Sequence, residues 1–399
     1  MAEELREQAG AGAAAASMEL SDFDKLINEE FKPKSEEADR AVKGAVRTLV
    51  TQALESANIV SGNAVKTIEG IISELDAKLS AQVNEIIHNK DFESLESAWR
   101  GLSYLVSNTE TSESLKIRVL NISKKDLQKT IKKFKGSSWD QSPLFKQIYE
   151  DEYGTAGGEP FGCIVGDYYF NQSAPDIELL KGISQISAAA HAPFIAAADP
   201  SMMNLDSWQD LANPRDLTKI FSTPEYAAWR SFRESDDSRY VALTLPRVLS
   251  RSPYGPETNP VETFSFTEDT GNGDSAKYSW MNAAYAMGVN INRSFADYGW
   301  CAHIRGVESG GVVESLPTHC FPTTDGGMAM KCPTEIAITD RREAELSKNG
   351  FLPLCYWKNT DYAVFLGGQT VNKPQEYDNP DATANASLSA RLPYIFATS

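Results

Sequence analysis

Two nearly continuous apolar runs with a helix-length segment between them constrain this chain more than anything else in it. Residues Phe161 to Tyr168 read FGCIVGDY and Pro193 to Asp199 read PFIAAAD, separated by PDIELLKGISQISAAAHA. A strand with one wet face alternates apolar and polar residues, whereas a run with almost no polar interruption is the pattern of a strand covered on both sides. Strand, helix, strand in that order predicts a parallel or mixed α/β sheet. The flanking segments extend this reading. SLKIRVLNI alternates Leu115, Ile117 and Val119 and predicts a strand, followed by a lysine-rich helix and a second helix in QSPLFKQIYEDEYG. TPEYAAWRSFR, Thr223 to Arg233, predicts a helix with proline in its first turn. YVALTLPRVLSR begins as a strand that Pro246 closes.

Upstream the texture is helical. From about Glu36 to His88, Ile68, Ile71, Ile72, Leu75, Leu79, Val83, Ile86 and Ile87 follow helical spacing, with a break at Ser61-Gly62-Asn63. FESLESAWRGLSYLV then places Phe92, Leu95, Trp99, Leu102, Leu105 and Val106 at steps of three and four on one face. Such a face packs on the chain's own core or on another subunit. If it is buried, loss of Trp99 costs about 3–5 kcal/mol. Gly101 interrupts the helix at about 1 kcal/mol relative to alanine, which predicts a close backbone approach there.

The remaining organisation follows from composition. Residues 1–35 read as a flexible arm carrying a short amphipathic helix, 36–110 as a helical region and 111–251 as an α/β core. Residues 252–275, rich in Pro, Gly, Asn and Thr, predict an exposed irregular excursion or interaction surface, and 276–399 a mixed α/β continuation. Within that continuation a helix is expected from Trp280 to Tyr298 and a strand from Trp300 to Ile304. CPTEIAITD opens a strand, short helix and β-hairpin, with Asn349-Gly350 as a turn.

Acidic residues outnumber basic ones 55 to 38, for a formal charge of −17, so a surface devoted to nucleic-acid phosphates is not expected. Lysines do cluster in ISKKDLQKTIKKFK, where Leu127, Ile131 and Phe134 lie on another side, as on a solvated helix. Five scattered cysteines form no disulfide framework and fit a reducing compartment. No signal-peptide pattern and no apolar run of about 18 residues occurs, so a cytoplasmic protein without membrane insertion is expected.

The search for chemistry mostly fails. There is no phosphate loop, GxGxxG, GxSxG, HExxH or close pair of CxxC elements, and no cofactor is expected. Cys301, His303, His319, Cys320 and Cys332 offer zinc-type ligands, but at spacings that match no common zinc element. Asp167 and Asp199 end the two buried strands, where α/β sheets place functional groups, yet no His or Lys partner is evident. They read as polar caps where strands leave the core.

FESLESAWRGLSYLV, SLKIRVLNISKKDL, QSPLFKQIYEDEYGTAGGEPFGCIVGDYYF and FADYGWCAHIRGVESGGVVESLP occur in this order. In that combination the chain resembles, from about Leu20 to Ser399, the large subunit of the type VI secretion contractile sheath, the TssC or VipB family. The resemblance implies a sheath-type mixed-sheet core related to contractile phage-tail sheaths. It also implies a structural role: pairing with a small sheath subunit (TssB or VipA), stacking with neighbouring copies around an Hcp inner tube, and contact with baseplate components. It further implies that the AAA+ ATPase ClpV engages the short N-terminal helix, where Leu20, Phe23, Leu26 and Ile27 are the apolar candidates. Phe92, Leu95, Trp99 and Leu102 are then packing or subunit-interface residues. The family chain continues beyond ARLPYIFATS into a C-terminal region absent from this sequence. A non-sheath, baseplate-like scaffold and an α/β hydrolase-like enzyme using Asp167 and Asp199 are the competing readings.

Overall fold

The structure, a computed structural model, describes residues 36, 40, 44, 48, 64–213, 216–374 and 387–392. It divides into two units, Met1–Ile87 with Tyr254–Glu268, and His88–Pro253 with Asp269–Ser399. A helical N-terminal region precedes a mixed α/β sheet core, as the residue pattern predicts.

In the first unit, helix α1 (Ala64–Ile87) carries Asp76, Ser80 and Asn84 at four-residue steps, hence on one face. That polar row grips the 254–268 segment: Ser80 Oγ donates to the Ser265 carbonyl and Asn84 Nδ2 to the Thr267 carbonyl, each at 3.3 Å, and the Ser265 amide donates to Asp76. Phe266 is buried, and the Tyr254 amide donates to Glu268 at 2.8 Å. The irregular stretch is strapped to a helix over 265–267, through contacts that no local pattern announces.

The second unit is built from helices α2 (Lys90–Ser107), α3 (Lys124–Lys133), α4 (Ala174–Ala189), α5 (Ala227–Arg233), α6 (Ala283–Tyr298) and α7 (Asp340–Lys348). Its strands are β1 (Ile164–Phe170), β2 (Phe194–Ala198), β3 (Val241–Leu245), β4 (Val248–Leu249), β5 (Trp280–Met281), β6 (Val312–Val313), β7 (Cys320–Pro322), β8 (Met328–Met330), β9 (Leu352–Tyr356) and β10 (Ala363–Phe365). Six of them form one sheet in the order β1-β2-β3-β9-β10-β6, parallel from β1 to β9 and antiparallel beyond. Alternate residues face opposite layers, as strand geometry requires. Phe194, Ala196 and Ala198 pack with Ile177 and Leu180 of α4 and with Phe232 of α5. Ile195, between them, packs with Met287 and Ile291 of α6. Coverage on both faces is why the strand sequences lack polar interruption.

Several expected elements differ. Residues 115–123 run straight, without turn or bend, but join no ladder among the described residues; Ile122 is tied to β1 by the Tyr168 hydroxyl and not by backbone pairing. The helix expected from Trp280 starts at Ala283; Trp280 and Met281 instead pair with β4, and the Asn282 side chain caps the helix by accepting from the Ala284 amide. No strand forms over 300–304, where Gly299 ends α6 with positive φ and the Ser294 hydroxyl donates to the Trp300 carbonyl while accepting from the His303 amide. Residues 332–338 make only a single bridge, Thr334 to Val248. The hairpin β9–β10 exists, but Asn349-Gly350 terminates α7 instead of turning it; Gly350 takes φ 89, and its amide donates to the Ser347 carbonyl.

Candidate functional site

Helix α2 is locally well specified. Asn89 caps it by accepting from the Asp91 amide, and Asp91 with Glu93 places negative charge in the first turn, where the helix dipole favours it. Its inward face is fixed by three kinds of contact. The Glu96 carboxylate takes Arg251 Nε at 2.6 Å and Arg100 Nε at 2.7 Å, with both Glu96 and Arg251 side chains almost fully buried. Burial raises the Glu96 pKa, and the two guanidinium groups more than reverse this, leaving the carboxyl below its ordinary range. The Ser97 hydroxyl donates to the Trp280 carbonyl at 2.6 Å.

The third contact is at Gly101. A Cβ at that position would lie 2.3 Å from the Tyr285 ring, which α6 presents. The close approach expected from this glycine is thus real, and Leu105, one turn on, packs with Tyr285 and Val289.

The outward face does the opposite. Phe92, Leu95, Trp99 and Val106 are exposed, Leu95 to 57% and Trp99 to 66%. Leu102 is partly buried against the Leu105 cluster. The positions 92, 95, 99, 102 and 106 step by three, four, three and four residues. That is a 3.5-residue period, the spacing of a seam that receives a second helix. The sequence pattern located these residues; it did not reveal that Leu105 leaves the stripe for the core, nor that Glu96, Arg251 and Tyr285 anchor the helix. The i,i+4 pair Glu96 and Arg100 was the available signal, and it named only half of the ion cluster.

The other candidate residues are engaged locally. Asp167 lies beside Asn282 and Tyr285; burial raises its pKa, and hydrogen bonds from these two side chains oppose the rise. Asp199 caps the short turn Pro200–Met203, accepting from the Ser201 amide at 3.0 Å and from its hydroxyl. Arg247, in the loop after β3, is held by Glu335 through two bonds of 2.8 Å. His319 Nδ1 meets the Tyr278 hydroxyl at 2.7 Å, Cys332 Sγ meets the Thr334 hydroxyl at 3.1 Å, and Cys320 is exposed. Burial pushes the Cys301 thiol up to about 11. Among the described residues no group of three or more His, Cys, Asp or Glu side chains is arranged to hold a metal ion. Nor is any helix among them long and apolar enough to cross a membrane. Leu20, Phe23, Leu26 and Ile27 lie outside the described residues.

Comparison with known proteins bears on this arrangement directly. Residues 69–372 match the VipB family, described as EvpB/VC_A0108, tail sheath N-terminal domain. The type VI secretion system sheath protein TssC1 of Pseudomonas aeruginosa strain PAO1 is 67% identical over 380 residues, 95% of this chain and 76% of that relative. With a match across most of its length at this identity, the chain belongs to the VipB family of tail sheath proteins.

Proposed function

We propose that this chain is the large subunit of a type VI secretion contractile sheath in the bacterial cytoplasm, built to pair with a small sheath subunit (TssB or VipA) and to stack with further copies around an Hcp tube. The TssC1 relative supports the sheath role. Pairing is supported by one observation above the rest: a helix riveted to the core on one face presents Leu95, Trp99 and Val106 to solvent at heptad spacing on the other. An amphipathic helix is the occupant such a seam fits, because apolar residues every 3.5 positions interdigitate with a like row. Sheath contraction is then a change of lattice, in which rigid subunits exchange one set of contacts for another. The short helix with Leu20, Phe23, Leu26 and Ile27 is the segment we assign to the unfoldase ClpV, since an apolar stripe on a tethered helix can fill a groove in one lattice state and be hidden in another.

Electron microscopy of the chain co-expressed with its small partner tests the proposal. Helical tubes of regular pitch are expected. Discrete particles would favour a baseplate-like scaffold, and a dispersed, stable monomer that ignores the partner would remove the pairing altogether.

A further inference from the structure

Helix α1 carries an apolar stripe that stands largely in solvent. Ile72, Leu79 and Ile86 are 51%, 46% and 51% exposed. They recur at seven-residue steps, with the half-buried Leu75 and Val83 between them. At 100° per residue these side chains fall within an arc of about 80°, beside the polar row of Asp76, Ser80 and Asn84 and not on it. The 265–267 strap takes the polar row and leaves the stripe free. A helix that keeps large aliphatic groups wet at heptad spacing along about 36 Å is one half of a seam.

The chain supplies a matching row just upstream. Residues 36, 40, 44 and 48 are helical and exposed. They are Glu, Arg, Gly and Thr, with Arg40 paired to Glu36 and the Thr48 hydroxyl donating to the Gly44 carbonyl at 2.9 Å. A helix through these four positions places Val42, Val46 and Leu49 on the side opposite to them. Run antiparallel to α1, this row meets the stripe with Leu49 opposite Ile72, Val46 opposite Leu75 and Val42 opposite Leu79, since both rows step by three and then four residues. Each of these pairs is centred between Val60 and Ser61. The fold-back point so required falls at the Ser61-Gly62-Asn63 break. Apolar spacing and turn chemistry agree on it without sharing a residue.

We propose that residues 38–53 fold back on α1 as the second helix of an antiparallel hairpin, with Val42, Val46 and Leu49 seated on Leu79, Leu75 and Ile72. The occupant follows from tethering. About ten residues join the two helices, a linker that holds one beside the other at an effective concentration in the millimolar range. A second copy or a separate partner has to outcompete that. The register also returns Ser35 to the neighbourhood of Ile86. The segment with Leu20, Phe23, Leu26 and Ile27 therefore leaves from the base of α1, whereas one continuous helix would carry it roughly 75 Å from that base. This consequence rests on the unfoldase assignment above; the hairpin itself does not.

Disulfide trapping in the whole chain tests the register. A Cys320→Ser background removes the exposed thiol. In it, Val46→Cys with Leu75→Cys, and Val42→Cys with Leu79→Cys, should close within one chain on copper–phenanthroline oxidation. Closure should be at least roughly tenfold faster than for Val42→Cys with Ile72→Cys, which the same register holds about 10 Å apart along the axis, beyond the reach of a disulfide. Equal or faster closure of the displaced pair, closure only between chains, or no closure at all overturns the proposal; closure between chains would give the stripe to a second copy. A variant without new cysteines supplies the second measurement. Leu79→Glu puts a charge in the seam, so the amides of 38–53 should exchange with deuterium at least roughly tenfold faster than in the parent, while the strap at 265–267 keeps its protection. Equal exchange in the two chains refutes the hairpin. So does protection of 38–53 that appears only when the small subunit is added, which would assign the stripe to that partner. Whether the small subunit binds at all is read separately, by titration, so the hairpin and the pairing fail independently.

Discussion

The two faces of helix α2 share one backbone, yet they do different things. On the inward face the important groups are a carboxylate, a hydroxyl and a glycine: Glu96, Ser97 and Gly101, each matched by one partner in the fold. On the outward face the large apolar groups, Leu95 and Trp99, have no such match among the described residues and are exposed. The usual association of apolar residues with folding and polar residues with the surface is reversed across one helix. A free chain that keeps large side chains wet while burying an ion cluster is spending its specific contacts on holding that helix in place. Stability and assembly are thereby assigned to opposite faces, and each can be attacked alone.

The largest effect on the free chain should come from Arg251→Ala. It leaves the buried Glu96 carboxylate with Arg100 as its remaining partner, and breaking a buried ion pair from one side costs about 3–5 kcal/mol. Denaturant unfolding at neutral pH measures this. The acid limb sharpens the reading. Because the folded pKa of Glu96 lies below its ordinary value, its contribution is present above the unfolded pKa and is lost as pH falls through the folded value. The parent should therefore lose stability on acidification more steeply than Arg251→Ala, and parallel curves would mean that the cluster contributes nothing net.

Gly101→Ala should come next. The added methyl would fall 2.3 Å from the Tyr285 ring, a distance no packed carbon tolerates. Overpacking of this kind costs about 1–3 kcal/mol as the ring or the helix shifts, outweighing the roughly 1 kcal/mol by which alanine favours a helix. A rise in melting temperature would show that α2 is free to move off α6, and the contrast between the two faces would collapse.

The parts of this molecule that were legible in its sequence are those where one periodicity decides. FGCIVGDY and PFIAAAD became β1 and β2, the first half-buried at the sheet's edge and the second wholly buried within it. Leu127 and Ile131 are buried beneath a lysine-rich helix, as their spacing required. What failed was non-local. Nothing in SLKIRVLNI states whether a neighbouring strand exists, and Ser265 carries no mark that Asp76 will accept its amide hydrogen. Periodicity likewise placed Trp99 and Leu105 on one apolar face, although about 120° separates them around the helix and only Leu105 reaches α6. Residue pattern specifies which side chains share a face; it does not specify what covers it.

The smallest effect on folding should come from Trp99→Ala, and it is the most informative. A tryptophan in a buried site would cost about 3–5 kcal/mol on truncation, but at 66% exposure most of its area is already in water, so the free chain has little to lose. Surface substitutions of this kind change stability by about 0.5 kcal/mol or less, and the unfolding midpoint should stay within experimental error of the parent. Binding should respond differently. An aromatic at the centre of a seam, flanked by Leu95 and Leu102, is the type of residue whose loss removes about 2 kcal/mol or more from an interface. A titration against the small subunit should therefore weaken by more than tenfold while folding is spared. Loss of stability with intact binding would exchange the roles of the two faces; no change in either would leave the stripe without a function and would argue that the partner docks elsewhere.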